Sequence, residues 1–274
     1  MQPLISVADL AARLDDPRLV VLDVRWRLDE PDGRPAYRAG HVPGAVFVDL
    51  NTELAGPASP AEGRHPLPGP GALEAAARRW GIRGDSAVVV YDDLGGMSAA
   101  RAWWLLADAG VDVRLLDGGL GAWRDAGLPL EEGETRPEGG DVVLGRGRMP
   151  VLDLDGAAGF EGTLLDARAR ERYRGEVEPV DPKAGHIPGA VSAPTAENLG
   201  PDGRFLQSEV LRRRFEGLGV RDGVPVATYC GSGVTAAHQA VALLLAGFRP
   251  AIYPGSWSQW SNRDGAPVAT GPNP

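Results

Sequence analysis

Short apolar runs alternate along this chain with longer segments that carry one apolar face. The runs at 19–24, 87–91 and 224–229 have the length of buried strands. The segments 98–109 and 235–246 have helical periodicity, and each is followed by a glycine in a position typical of a helix end. Residues 51–71 are rich in proline, glycine and alanine and predict a loop. Strands that alternate with helices predict an α/β fold with parallel sheets covered by helices on both faces.

This pattern occurs twice, because the two halves of the chain share several short motifs. The motifs are Leu22-Asp23-Val24-Arg25 with Leu165-Asp166-Ala167-Arg168, Gly40-His41-Val42-Pro43-Gly44-Ala45 with Gly185-His186-Ile187-Pro188-Gly189-Ala190, and Trp123 with Trp260. A segment rich in Glu and Gly, 131–147, predicts a linker between the copies. The sequence therefore predicts two domains of similar fold, over 1–140 and 150–274.

The composition narrows the possible partners. A formal net charge of −9 over 274 residues argues against a general nucleic-acid binder. A single cysteine excludes an internal disulfide and a multi-cysteine metal site, and four scattered histidines with one cysteine do not make a zinc site. We expect no metal, and we expect no cofactor either. No apolar stretch approaches the ~20 residues of a membrane span, and residues 1–6 do not resemble a secretion signal. We therefore expect a cytoplasmic protein that binds no membrane.

The one cysteine lies where a strand changes to a helix, in the run Tyr229-Cys230-Gly231-Ser232-Gly233-Val234-Thr235. Loop glycines allow backbone N–H groups to converge, and the start of the following helix adds partial positive charge. Both effects favour the nucleophilic thiolate. The corresponding first-half segment, 91–96, is one residue longer and carries acids instead of the cysteine. We therefore predict an active second domain and a catalytically inactive first domain.

These motifs together resemble the two-domain rhodaneses, and the Cys-Gly-Ser-Gly-Val-Thr loop is most similar to the 3-mercaptopyruvate sulfurtransferases of that family. The resemblance implies that Cys230 takes sulfur from a donor as a persulfide. The sulfur then passes to cyanide, a thiol or a thioredoxin-like protein, with ping-pong kinetics. Thiosulfate sulfurtransferases more often carry basic residues at the two positions after the cysteine.

The resemblance also implies roles for individual residues. Ser232 and His65 match catalytic residues, and Asp49 matches an acid proposed to act with the histidine. Arg172 matches the arginine that binds the donor carboxylate. The other predicted substrate-binding residues belong to the loop around the cysteine: Gly231, Gly233, Val234 and Thr235. For Thr235 a helix-capping role is at least as well supported, because its first-half counterpart Ser98 is also a hydroxyl residue.

The sequence departs from the family at one position. Animal mercaptopyruvate enzymes have a second substrate arginine where this chain has Asp181, so Lys183 or Arg174 could take its place, or the donor could differ. Two alternatives to a mercaptopyruvate enzyme follow: a thiosulfate:cyanide sulfurtransferase, or a persulfide-relay module without enzymatic activity of its own. A cysteine phosphatase is disfavoured because no arginine closes the loop.

Three histidines outside this group have a structural interpretation. His41 and His186 occupy the same place in both copies, which predicts that they hold a turn before a strand. His238 is expected at the surface of the helix after the cysteine loop.

Overall fold

The computed structural model describes residues 2–145 and 147–274. The chain divides into two compact units, and two short segments are exchanged between its halves. The first unit comprises the described parts of Met1–Gly56, Leu67–Met149 and Pro201–Phe205. The second comprises Pro57–Pro66, Pro150–Gly200 and Leu206–Pro274.

The first unit is built on a five-stranded parallel sheet in the order β1-β5-β4-β2-β3. Its strands are β1 (Leu4–Ile5), β2 (Leu19–Asp23), β3 (Val46–Phe47), β4 (Ala87–Tyr91) and β5 (Asp112–Leu116). Its helices are α1 (Val7–Ala11), α2 (Arg34–Ala39), α3 (Leu50–Glu53), α4 (Pro70–Arg79), α5 (Ala99–Asp108) and α6 (Gly119–Asp125).

The second unit repeats this order with four parallel strands, β7-β6-β8-β9. Its strands are β6 (Thr163–Asp166), β7 (Val191–Ser192), β8 (Val226–Tyr229) and β9 (Pro250–Ile252). Its helices are α7 (Leu154–Ala158), α8 (Arg170–Arg174), α9 (Ser208–Gly217), α10 (Thr235–Leu245) and α11 (Ser256–Trp260), with a 3₁₀ turn at Thr195–Asn198. A parallel bridge from Val151 to Ile252 stands where the first unit has β1. The predicted parallel α/β repeat is confirmed.

The central strands are buried because their sequences are continuous apolar runs. Strand β8 is buried along its whole length, and so is β4 from Val88 onward. Among the described residues, no helix is both long and apolar enough to cross a membrane.

The shared Asp-x-Arg motif fixes the ends of the strands beside the central one. Arg168 donates to both carboxylate oxygens of Asp166 and to the carbonyl oxygen of Gly185. Arg25 does the same with Asp23 and the carbonyl of Gly40. All four side chains are buried, which requires this pairing because an isolated buried charge is very costly.

The predicted loop over 51–71 is wrong at both ends. Asp49 accepts hydrogen bonds from the N–H groups of Asn51 and Thr52, and this cap starts α3. Helix α4 begins at Pro70, whose fixed φ suits the first position of a helix. Residues 131–145 of the segment predicted as a linker belong to the first unit, where the N–H of Val142 donates to the carbonyl of Ile82 and that of Gly145 to the carbonyl of Ala109.

Candidate active site

Cys230 directly follows β8, and the cysteine loop, residues 230–234, connects it to α10. The side chain is buried, with 2% of its surface exposed. The backbone of the loop is held by the start of α11: Trp257 donates to the carbonyl of Cys230, and Ser258 donates to that of Gly231. The nucleophile predicted from the sequence therefore lies in a fixed loop at the carboxyl end of a central strand.

A backbone N–H group inside the loop points at the sulfur. The N–H of Gly233 donates to Sγ of Cys230 at 3.1 Å. Gly233 has φ +80°, and a Cβ there would lie 2.4 Å from the carbonyl oxygen of Pro254, so only glycine fits. Together with the start of α10 at Thr235, this donor stabilises negative charge on the sulfur.

Sequence reasoning missed Ser256, whose side chain hydrogen-bonds to the backbone of Cys230. Its hydroxyl accepts the N–H of Cys230 at 3.1 Å and donates to the carbonyl of Tyr253 at 2.9 Å. Within the described chain it is the only non-glycine residue with positive φ, at 53°. Backbone strain of this kind persists where the surroundings over-determine a conformation, and it concentrates at functional sites.

Ser232 and His65 form a polar pair next to the cysteine. Oγ of Ser232 and Nδ1 of His65 lie 2.8 Å apart, within hydrogen-bonding distance. Both side chains are buried, with 6% and 8% of their surfaces exposed. The structure thus brings together two residues that are far apart in the sequence and that were predicted to act in one site.

His65 reaches this position because residues 57–66 pack as part of the second unit. The N–H of Arg64 donates to Oγ of Ser258, and Nε2 of Gln259 donates to the carbonyl of Ala61. Gly63, at φ +90°, lies so close to the start of α11 that a Cβ would come within 2.8 Å of the carbonyl oxygen of Gly255. Helix α11 therefore positions both the cysteine loop and the histidine.

Arg172, predicted to bind the donor, lies beside the cysteine loop. A Cβ added to Gly231 would meet its Nη1 at 3.3 Å. Its Nη2 donates to Glu178 at 2.7 Å and to Asp181 at 3.4 Å. The two residues considered for the second cation make other contacts: Lys183 donates to the carbonyl of Arg263, and the half-exposed Arg174 lies near Glu176.

A different arginine, Arg64, accompanies Arg172. Its Nη1 donates to Asp181, and its Nη2 would lie 3.1 Å from a Cβ on Gly231. Burial raises the pKa of the Asp181 carboxyl; Arg64 opposes this rise, and the neighbouring Glu178 adds to it. The position immediately before His65 was the only hint in the sequence.

Comparison with known proteins identifies the architecture. The rhodanese-like domain model matches the chain twice, over residues 6–126 and 152–263. The chain belongs to the rhodanese family. This membership confirms the predicted fold. It also confirms the predicted class of enzyme, a sulfurtransferase that acts on a sulfur donor and an acceptor.

Relatives that match nearly the whole rhodanese chain differ in the donor that they are named for. A Pseudomonas aeruginosa protein, provisionally named a 3-mercaptopyruvate sulfurtransferase, is 50% identical over 98% of both chains. SseB of Mycobacterium tuberculosis, provisionally named a thiosulfate sulfurtransferase, is 49% identical over 98% of both. The crystal structure of Escherichia coli SseA, described as a 3-mercaptopyruvate sulfotransferase, covers 94% of this chain and 99% of its own, with 33% identity and a TM-score of 0.83.

The first rhodanese unit has a carboxylate where the second has the cysteine. Asp92 directly follows β4, as Cys230 follows β8, and it is fully buried. Its Oδ1 accepts the N–H groups of Leu94 and Gly96, and its Oδ2 accepts those of Ser98 and Ala99. Three N–H groups of this loop, 92–98, and that of Ala99 at the start of α5 therefore already hold a carboxylate that belongs to the chain.

Two predicted site residues have local structural contacts. Asp49 lies in the first unit and caps α3, as described above. Thr235 is the first residue of α10, and no side chain caps that helix. Its counterpart Ser98 does not cap α5 either; its hydroxyl donates to the carbonyl of Trp26.

The remaining histidines are buried. Nδ1 of His41 lies 2.9 Å from the carbonyl of Tyr37, and Nδ1 of His186 lies 2.7 Å from that of Tyr173. The ring of His41 stacks on Tyr37 and that of His186 on Tyr173, in keeping with a structural role. The surface position predicted for His238 is wrong: it is fully buried, and its Nδ1 lies 2.6 Å from the hydroxyl of Thr195, which packs against α10.

Proposed function

We propose that this rhodanese transfers sulfur from 3-mercaptopyruvate to a nucleophilic acceptor through a persulfide on Cys230. Arg172 binds the donor carboxylate, and Ser232 with His65 supplies a proton to the departing group. Gly231, Gly233, Val234 and Thr235 form the backbone around the sulfur. Asp49 is retained as a proposed partner of the histidine, and the first unit as a catalytically inactive support.

The reaction has two half-reactions. The Cys230 thiolate attacks the sulfur of mercaptopyruvate, a sulfur–sulfur bond forms, and the carbon–sulfur bond breaks. The electron pair of that bond leaves on pyruvate as an enolate, which takes up one proton to become pyruvate. The acceptor then attacks the outer sulfur, and the bond between the two sulfurs breaks to return the thiolate.

The pair formed by Ser232 and His65 is the observation that favours 3-mercaptopyruvate over thiosulfate as the donor. The enolate of pyruvate is a strong base, so its departure is helped by a proton donor or by a hydrogen bond to the oxygen. Thiosulfate releases sulfite, which is stable as an anion and needs no such group. A buried hydroxyl and imidazole 2.8 Å apart, in a loop without a basic side chain of its own, suit the first donor better.

A paired steady-state assay tests the donor. We expect a higher kcat/KM with 3-mercaptopyruvate than with thiosulfate, with cyanide as acceptor in both. Intact mass should show the gain of one sulfur atom after exposure to mercaptopyruvate without acceptor. A preference for thiosulfate would favour the thiosulfate:cyanide enzyme, and no gain from either donor would favour a relay module loaded by a partner protein.

Replacement of Ser232 by alanine should separate the two donors. Because it removes the hydroxyl beside His65, we expect kcat with mercaptopyruvate to fall about 100-fold, and kcat with thiosulfate to change by less than about threefold. Ser208→Ala, at an exposed position on α9, is the matched control and should change neither. Equal losses with both donors would assign Ser232 to loop geometry and not to proton transfer.

The acceptor is proposed on chemical grounds alone. The outer sulfur of a persulfide reacts with cyanide, with small thiols and with the thiol of a thioredoxin-like protein. A lone reactive thiol is best maintained in a reducing compartment, so we propose a cytoplasmic setting.

A further inference from the structure

We propose that Ser258 and Gln259 are positioning residues that determine which donor the site prefers. They dock the histidine segment, 57–66, on α11 and thereby fix the distance between His65 and Ser232. The inference rests on the proposed function, in which this pair supplies a proton to the departing pyruvate group. It names the side chains through which α11 controls that step, separately from the reactivity of the thiolate.

The histidine segment is a tight turn. Ser59 and Gly63 exchange two backbone hydrogen bonds, from the N–H of Ser59 at 3.2 Å and from the N–H of Gly63 at 2.8 Å. A single turn of this size buries too little surface to hold a position by itself. The place of His65 in the second unit therefore depends on bonds between the segment and the rest of that unit.

Two side chains of α11, the anchors Ser258 and Gln259, supply such bonds. Oγ of Ser258 accepts the N–H of Arg64 at 3.1 Å, and Nε2 of Gln259 donates to the carbonyl of Ala61 at 2.6 Å. Arg64 directly precedes His65, so the first of these bonds fixes the backbone from which the imidazole extends.

Both anchors are themselves held in place. The hydroxyl of Ser258, whose residue is 1% exposed, donates to the carbonyl of Gly255 at 3.1 Å. Oε1 of Gln259 accepts the hydroxyl of Tyr253 at 2.7 Å. Each anchor thus bonds to the histidine segment and to its own helix or the strand before it, and it cannot turn away without the loss of a hydrogen bond.

The first unit has other residues at the corresponding places. When the repeat is aligned on its shared tryptophan, Gly121 and Ala122 of α6 stand opposite Ser258 and Gln259. Neither of them has a polar side-chain atom. Helix α6 still donates a backbone hydrogen bond to the carbonyl of Asp92, as α11 does to its own loop. The bond from helix to loop is therefore common to both copies, and the anchors for a histidine segment belong to the second copy.

The distance that the anchors fix is important for one donor only. A proton donor acts at a heavy-atom distance of ~2.6–3.2 Å, and Ser232 and His65 lie 2.8 Å apart. A displacement of about 1 Å can lower a rate about 100-fold. Sulfite leaves thiosulfate as a stable anion, so the same displacement should have little effect on that reaction. A loosened segment should therefore reduce the preference for mercaptopyruvate without preventing sulfur transfer.

The double variant Ser258→Ala with Gln259→Ala tests this expectation. We expect kcat with mercaptopyruvate to fall about 10- to 100-fold, and kcat with thiosulfate to change by less than about threefold. Alkylation of Cys230 by iodoacetamide needs only the thiolate and should keep its rate. Ser261→Ala is the matched control, because the buried hydroxyl of Ser261 has no hydrogen-bond partner in the described part of the chain; it should change none of these values.

A double-mutant cycle shows whether the anchors act through the histidine. In a His65→Ala background, the same two substitutions should lower kcat with mercaptopyruvate by less than about twofold, because the group that they position is already absent. A full further loss would mean that Ser258 and Gln259 act on another part of the site, and it would overturn the inference.

Hydrogen exchange measures the docking without any donor. We expect the backbone amides of 57–66 to exchange at least about tenfold faster in the double variant than in the parent or in Ser261→Ala. Thermal unfolding reports whether each variant is folded. If the double variant is not, Ser258→Ala alone removes one anchor and should give the same changes on a smaller scale.

The outcomes separate this inference from the proposed function. A parent that prefers mercaptopyruvate and a folded double variant that keeps this preference contradict the inference and leave the proposed function intact. A parent that prefers thiosulfate contradicts the proposed function. Faster exchange of 57–66 in the variant would then still support the docking of His65 by the anchors, and unchanged exchange would contradict both.

Discussion

Cys230→Ser is expected to abolish sulfur transfer while leaving the fold intact. The serine hydroxyl is a far weaker nucleophile than a thiolate and cannot form a persulfide, so kcat should fall roughly 10⁴-fold or more. The serine oxygen can still accept the N–H of Gly233, and the side chain remains small, so the free energy of unfolding should change by less than about 1 kcal/mol.

Intact mass makes this result decisive, because the chain contains one cysteine. Wild-type protein exposed to the donor should gain one sulfur atom, and the variant should gain none. Ser261→Ala, a buried hydroxyl removed elsewhere in the same unit, serves as a control for the loss of a small polar side chain. Turnover that survives in Cys230→Ser would place the chemistry on another group and overturn the persulfide mechanism.

The residues that could be found from the sequence are those whose function depends on a contiguous segment. Strand, cysteine, glycines and helix follow one another at 226–236, so the chemistry of Cys230 is visible in one short run. The repeat added an internal comparison, because the first half has Asp92 where the second has the cysteine. The fold class followed from the same periodicity.

The residues that were missed depend on packing between distant segments. Arg64 reaches the site because residues 57–66 dock on α11, and the proline-rich sequence of that segment does not predict this docking. Ser256 holds Cys230 through a backbone conformation that the sequence Pro254-Gly255-Ser256 does not specify. The error for His238 has the same origin, because helical periodicity does not show that Thr195 covers this face of α10.

The second large effect concerns the buried carboxylate of the first unit. We expect Asp92→Asn to lower the free energy of unfolding by about 2–5 kcal/mol. The carboxylate accepts four backbone N–H groups, two on each oxygen. An asparagine presents an NH₂ group to one of these pairs, so two buried donors lose their acceptor and face another donor.

The electrostatics of Asp92 explain why the loop tolerates a buried charge. Burial raises the pKa of this carboxyl, and the hydrogen bonds from Ala99, Leu94, Gly96 and Ser98 lower it in opposition. In the second unit Sγ of Cys230 stands in the corresponding loop and accepts the N–H of Gly233. The first loop thus holds a carboxylate with four backbone donors, and the second directs the N–H of Gly233 at the sulfur of Cys230.

Urea denaturation of Asp92→Asn and of Asp93→Asn tests this account. Asp93 is the adjacent acid, is 26% exposed and pairs with Arg27 at 2.9 Å, so its replacement should cost less than about 1 kcal/mol. Equal stability of the two variants would mean that the N–H groups around Asp92 find other acceptors. The first unit would then not depend on an internal anion for its stability.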